Sequence, residues 1–310
     1  MQDYQFRKVA VLGANGFIGT RLCLSLAEQG TEVIALVDKN FNYSHLLGRK
    51  GITCLEFSLQ ELECLYDHEL LKDVDFLYHM AWAGVNANFR NDAEIQAQNI
   101  IFGLQVMEFA EHQGIKRILV PGSAAEVSCG NGIITGRESA APSDLYSASK
   151  VATRYLCQTY AQKKHLELIL TLITSIYGPG RDDNNLISYA IKTLLKGEKP
   201  SFTGLEQEWD YLYIDDLIQA LIALGKKGVG GKVYPIGSGE HQKMKKYVAT
   251  IRDQINPSLP LGIGDLPYKN PEKIDNQILD IDELVCDTGF KARIPFEEGI
   301  KKTIDFYKYK

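Results

Sequence analysis

The sequence predicts an α/β fold: a doubly wound parallel sheet with a smaller C-terminal lobe. Three observations carry this. Short apolar runs rich in Val, Ile and Leu alternate with stretches of helical spacing. Strands of that kind are buried on both faces and need helical crossovers between them. The first strand-to-helix connection is glycine-rich, "VLGANGFIGTRL". After residue 178 the texture changes, with frequent Gly, Pro and Asn in "YGPGRDDNN" and "INPSLPLGIGDLP".

In order, "KVAVLG" (8–13) reads as the first strand, and 17–30 as a helix stopped by Gly30. Strands follow at 32–38, 51–57, 74–81, 116–123 and 166–174, with helices notably at 92–113 and 144–164. The domain division expected is 1–178 for the sheet domain and 179–310 for the smaller, more irregular lobe. Two segments near 212–238, "YLYIDDLIQALIALG" and "GKVYPIGS", are expected to return to the main sheet. Asp215 reads as a helix N-cap and Asp216 as first-turn charge.

Bulk properties exclude several classes. The 310 residues carry a net charge of −5, which gives no footprint for nucleic acid or an anionic membrane. No run of 18 apolar residues occurs, so no membrane span is expected. The N-terminus enters a strand almost at once, which leaves no room for a signal peptide. Cys23, Cys54, Cys64, Cys129, Cys157 and Cys286 form no CxxC pair, and the six histidines are dispersed. The expectation is reduced thiols, a cytoplasmic location and no metal site.

In the first loop, Gly13 allows a tight turn, Gly16 lets the backbone approach a pyrophosphate, and Gly19 lets the helix pack on the sheet. With Asn15, Phe17 and Ile18 they form a dinucleotide cradle at a helix N-terminus, the Rossmann arrangement. Asp38 ends the second strand, 19 residues after Gly19. A carboxylate there accepts hydrogen bonds from an adenosine ribose and repels a 2′-phosphate, so NAD is expected, with NADP as the alternative. The competing reading of Asp38 is a turn residue before Lys39 and Asn40.

A second motif lies in "SDLYSASKVATRYL" (143–156). Tyr146 and Lys150 are four apart, so they share one helix face. A free phenol has a pKa near ~10 and is a poor base at neutral pH; a neighbouring cation favours its ionised form.

The chain resembles the extended short-chain dehydrogenase/reductases, of the NAD-dependent epimerase/dehydratase family that modifies nucleotide sugars. The resemblance runs through "GANGFIG" (13–19), "HMAWAGV" (79–85), "AQNIIFGLQVME" (97–108), "GSAAEV" (122–127), "YSASK" (146–150), "IYGPG" (176–180), "WDYLYIDDL" (209–217), "VYPIGSGE" (233–240) and "FEEGIKKTIDFY" (296–307). It implies that Tyr146 is the general acid/base, and that Lys150 stabilises the phenolate and holds the nicotinamide ribose. A strand-end hydroxyl should hold the reacting oxygen. Ser123 supplies it, while a one-residue slip would put Ala124 there, because Val127 and Ser128 stand where relatives have Tyr-Gly.

The resemblance also implies a dinucleotide site reaching Ser58, Leu59, Met80, Ala81, Trp82 and Asn99. The substrate side would draw on Ala83, Ser123, Tyr146, Ser175, Arg181 and Trp209. Relatives that remove water carry an Asp-Glu pair after the Ser/Thr, where this chain has Ala124 and Ala125. This disfavours 4,6-dehydration and leaves a 4-epimerase or a 4-ketoreductase of a nucleotide-diphosphate sugar. Many relatives have Arg at the place of Leu172, Asn at Ser175, and a diphosphate-gripping Arg at Trp209. Arg181 is a candidate replacement cation. Two other readings stay open: a non-nucleotide carbonyl substrate, and a non-catalytic dinucleotide-binding regulator. Relatives dimerise through two long helices, matched here by 92–113 and 144–164, so a homodimer is expected.

Overall fold

The computed structural model describes residues 4–58, 61–86, 88–128, 132–181, 185–268 and 275–309. Its first half runs β1 (Lys8–Leu12), α1 (Phe17–Glu28), β2 (Glu32–Asp38), β3 (Ile52–Phe57), β4 (Phe76–His79), α2 (Ala93–His112), β5 (Arg117–Ser123), α3 (Leu145–Lys164) and β6 (Glu167–Ile173). Then come β7 (Ser175–Tyr177), α4 (Leu186–Leu195), β8 (Ser201–Phe202), β9 (Glu208–Trp209), β10 (Tyr211–Tyr213), α5 (Ile214–Lys227) and β11 (Val233–Ile236). The chain closes with β12 (Gln242–Lys243), α6 (Met244–Ile255), β13 (Gly262–Ile263), α7 (Asp282–Thr288) and α8 (Phe296–Tyr309).

Seven strands form one sheet in the order β3-β2-β1-β4-β5-β6-β11. Every neighbouring pair is parallel. Alternation along the strands explains the two helical layers. Val9, Val11, Val33, Ala35 and Val37 point into a core shared with Leu22 and Leu26 of α1 and Leu217 and Leu221 of α5. Their sequence neighbours Ala10, Leu12, Ile34 and Leu36 point the other way, onto Phe102, Val106 and Phe109 of α2 and Cys157 and Ala161 of α3. Each such aliphatic side chain contributes at most about 1.5–3 kcal/mol on burial. The strand order reverses between β1 and β4, so the connections leave in opposite directions and open a crevice at the carboxyl ends of these strands.

Helix ends follow local chemistry. Asp92 caps α2 by accepting from the Ile95 N–H at 3.0 Å, and Asp144 caps α3 through Ser147 at 2.8 Å. In the second half β7 pairs with β10, β9 with β12, and β8 with β13. Tyr177, Tyr211, Tyr247 and Phe296 bring their ring centroids within 4.6–6.4 Å of one another, which fastens α8 to β7 and β10.

One local expectation is corrected. Tyr213, not Asp215, is the N-cap of α5, and it caps without a side-chain bond. Asp215 instead pairs with Arg21 of α1 at 2.7 Å. Asp216 accepts from the N–H groups of Arg293 and Ile294 at 3.1 and 2.9 Å, tying down the segment before α8. The described cysteines are free, and Cys129 lies outside the described residues. No helix among the described residues is long and apolar enough to cross a membrane. No group of three metal-ligating side chains occurs among them.

Candidate active site

The crevice at the switch point is a cavity of about 490 Å³ whose lining includes Gly13, Asn15, Gly16, Asp38, Met80, Ala81, Trp82 and Ala83. Gly13 has φ +79°, and a Cβ on it would lie 2.5 Å from the Ala81 nitrogen, so a side chain is excluded twice over. A Cβ on Gly19 would overlap the Gly13 carbonyl, which is the close helix–strand approach the spacing predicts. Gly16 is the N-cap of α1 and offers no side-chain acceptor, so the first-turn N–H groups have no side-chain cap. These features fit a dinucleotide pyrophosphate.

Phe17 and Ile18 open α1 and are partly buried against the core. Asn15 clamps the loop to the end of β2, its Nδ2 donating to the Asp38 carbonyl at 3.0 Å. The Asp38 carboxylate accepts at Oδ1 from both the N–H and the Nδ2 of Asn40, each at 2.9 Å. Its Oδ2 makes neither bond, so the turn role leaves one carboxylate oxygen out of the Asn40 contacts. Ser58 is buried beyond β3, and Leu59 lies outside the described residues. Asn99 does not line the cavity. Its amide accepts from the Ala83 N–H at 3.0 Å and donates to the Ala83 carbonyl at 2.9 Å, bracing the segment after β4.

Tyr146 and Lys150 sit on the first turns of α3, across from the ends of β4 and β5. Burial pushes the Tyr146 phenol above its ordinary value, while the Ser123 hydroxyl hydrogen-bonded to it and the Arg90 charge pull it down. Of the two registers left open above, Ser123 is the one whose hydroxyl acts on the phenol. Ala124 is buried in an apolar cluster with Leu172 and Leu279. Lys150 is 7% exposed, and its Nζ donates to the Pro121 carbonyl at 2.9 Å. Nζ also lies 3.6 Å from the centroid of the Trp82 ring, whose edge meets Tyr146 with centroids 6.1 Å apart. Burial holds the Lys150 ammonium well below the ordinary lysine range, and the Glu126 carboxylate opposes that.

Glu126 is fully buried in the turn after β5. Its Oε1 accepts from the Ser123 N–H at 2.9 Å and its Oε2 faces Arg154 Nε at 2.9 Å. Burial pushes this carboxyl up against those partners. His79 is buried at the end of β4 and held down to about 3, by burial first and the Lys150 charge second, so its ring stays neutral.

In the second half of the chain, Trp209 Nε1 donates to Ser175 Oγ at 3.0 Å, and Ser175 Oγ reaches Gln277 Oε1 at 3.4 Å. Thr174 joins them, donating to the Asp210 carbonyl at 2.6 Å. Asp210 is buried, pushed up to about 6 by that burial, and accepts from the Ser238 hydroxyl at 2.7 Å. It holds the turn after β11. Arg181 donates to the Ile176 carbonyl and accepts at its own carbonyl from Tyr307. Sequence reasoning missed Arg90, whose guanidinium carbon lies 4.2 Å from the Tyr146 ring centroid. Nothing local signals it.

A glycine cradle at the switch point, with a Tyr-Lys pair against its lining residue Trp82 and a serine at the end of β5, is the layout of the extended short-chain dehydrogenase/reductases, enzymes of carbinol and carbonyl chemistry. The chain belongs to the NAD dependent epimerase/dehydratase family, whose model matches residues 9–237. It is 26% identical to the uncharacterized UDP-glucose epimerase YtcB of Bacillus subtilis, over 83% of this chain and 85% of that protein. The UDP-glucuronic acid 4-epimerase of Bacillus cereus superposes with a TM-score of 0.85 at 21% identity, covering 97% of this chain and 99% of the other. The UDP-N-acetylglucosamine 4-epimerase of Methanobrevibacter ruminantium also gives 0.85, at 22% identity, covering 100% of this chain and 99% of the other.

Proposed function

We propose that this protein is an NAD-dependent 4-epimerase of a nucleotide-diphosphate sugar. The observation that carries the reading is the Tyr146–Lys150 pair, one helical turn apart on α3, with the Lys150 ammonium and the Tyr146 ring both against Trp82, a lining residue of the glycine-rich cavity. Gly13, Gly16 and the start of α1 would hold the pyrophosphate, and Asp38 the adenosine ribose. NAD, when bound there, would supply the acceptor and donor of a hydride at the sugar carbon. Ser123 holds the hydroxyl of that carbon, and Tyr146 removes its proton and later gives it back. Lys150 places positive charge where the phenolate forms.

Epimerisation is favoured over dehydration because loss of water needs a second acid or base in the cleft. Ala124 and Ala125 supply none, and Glu126 is turned inward onto Arg154. Of the relatives named above, the Bacillus cereus and Methanobrevibacter ruminantium proteins are 4-epimerases of UDP-sugars.

The test is incubation of the purified protein with UDP-glucose, UDP-glucuronate, UDP-N-acetylglucosamine and their 4-epimers, followed by proton NMR. One pair should approach equilibrium from both sides, supported by NAD and not by NADP, with no net build-up of reduced dinucleotide. A 4-keto-6-deoxy product would sink the proposal. A second reading, reduction of a non-nucleotide carbonyl, has one observation in its favour: Trp209, where many relatives have a diphosphate-gripping Arg, lies in a neutral hydrogen-bonded network with Ser175 and Gln277. Conversion of simple sugars with no turnover of any nucleotide sugar would select it.

We also propose a homodimer through α2 and α3. Their outer faces carry Ile101, Leu145, Tyr155 and Leu156 at 40–51% exposure. Light scattering should give twice the chain mass, and Ile101→Glu/Leu156→Glu should halve it; a monomeric wild type would refute the interface.

A further inference from the structure

The segment between β4 and α2 brings a cation onto the Tyr146 ring, and the contacts of its side chain and carbonyl involve the N-terminus of α3. The Arg90 guanidinium carbon lies 4.2 Å from the ring centroid. Its Nε donates to Asp144 Oδ2 at 2.7 Å, and Asp144 is the N-cap of the helix that carries the phenol. The Arg90 carbonyl accepts the Tyr146 N–H at 2.9 Å, and Asn91 Oδ1 accepts the Leu145 N–H at 3.1 Å. The guanidinium is therefore fixed in height and orientation over the ring rather than swinging in solvent. A planar cation on an aromatic face is attracted by the ring quadrupole, and the attraction grows when the ring carries the negative charge of a phenolate.

The other groups facing the phenol divide in sign. Ser123, at the end of β5, hydrogen-bonds it. Glu126 in the following turn and Asp144 on α3 oppose its ionisation. Lys150, on the same helix, keeps its Nζ 6.0 Å from the ring centroid and bonded to the Pro121 carbonyl. Arg90 is thus nearer the ring than Lys150, and its charge also offsets that of Asp144.

We infer that Arg90 is a positioning residue for the phenol: held by Asp144, it keeps a permanent positive charge on the Tyr146 ring face and favours the ionised form. This rests on the proposed role of Tyr146 as the proton-transfer group, but its test does not. The charge on arginine is effectively constant over the working pH range, so the bias it supplies does not vary while Lys150, depressed by burial, titrates.

The test is carbon-13 NMR of tyrosine-labelled protein saturated with NAD and free of substrate, the Tyr146 Cζ signal being assigned with Tyr146→Phe. Arg90→Gln keeps a donor for Asp144 and loses the charge; Arg90→Lys keeps the charge and loses the flat fork. The Tyr146 midpoint should rise by about one unit in Arg90→Gln and by much less in Arg90→Lys. The alkaline shift should recur as a displaced acid limb of kcat/KM with KM nearly unchanged. An unmoved midpoint in Arg90→Gln, or an equal shift in Arg90→Lys, overturns the inference. Because the titration is read without substrate, a wrong substrate assignment leaves it standing, and an unmoved phenol with active enzyme removes Arg90 alone.

Discussion

Tyr146→Phe is expected to lower kcat for 4-epimer interconversion by about 10³-fold while NAD stays bound. The substitution removes one oxygen and keeps the ring, so the edge contact with Trp82 and the face contact with Arg90 persist. What goes is the hydroxyl proposed to take the proton from a sugar hydroxyl. In the proposed site the dinucleotide would be held by the Gly13–Gly19 loop and Asp38, which the change does not touch, so bound NAD measured after denaturation should be retained. The pH profile gives an independent check. Oxidation of a hydroxyl needs the phenolate, so kcat/KM rises with pH through the phenol pKa. Ser123→Ala deletes a bond that lowers that pKa, and the acid limb should move to higher pH. A Tyr146→Phe variant within about tenfold of wild-type turnover would remove the phenol from the mechanism.

The parts of the site legible in the sequence are those set by local backbone demands. The sheet follows from strands such as Val9-Ala10-Val11-Leu12, in which both faces are apolar because both are covered. The glycine loop is legible because Gly13 must take a positive φ and Gly19 must meet a carbonyl. Tyr146 and Lys150 are legible because four residues make one helical turn.

What escaped depends on where separate segments cross. Arg90 meets Asp144 across 54 positions, and no pattern near residue 90 announces it. Trp209, Ser175 and Gln277 come from three segments, so their hydrogen-bonded network could not be read from the departures at Trp209 and Ser175 one by one. The choice between Ser123 and Ala124 turned on the turn after β5. There Ser123 caps the turn and Ala124 is drawn into the apolar cluster with Leu172. Asp215 was misread for a related reason: it sits two residues past the capping position, and Arg21 of α1 supplies a partner that sequence distance hides.

Glu126→Ala is expected to destabilise the fold by about 3–5 kcal/mol, because it leaves a buried guanidinium without its counter-charge. The Arg154 side chain is 8% exposed and the Glu126 side chain 0% exposed, so water cannot replace the missing carboxylate cheaply. The same change strips the acceptor from the Ser123 N–H and opens the turn that sets the Ser123 hydroxyl. Space is tight on the other side too: a Cβ on Gly122 would collide with both Glu126 Oε1 and the Thr171 carbonyl, so the carboxylate fills a slot shaped for it. Removing both charges is a milder change than removing one, so Glu126→Gln/Arg154→Met should recover most of the loss in urea denaturation. The double variant should still be impaired in turnover. Lys150 is lowered by burial and held up by Glu126, so without that carboxylate its ammonium loses its proton at lower pH and activity should fall off earlier on the alkaline side. A single Glu126→Ala variant within about 1 kcal/mol of wild type would show that the pair carries no structural weight. A double variant with wild-type turnover and an unchanged alkaline limb would show that Lys150 does not depend on it.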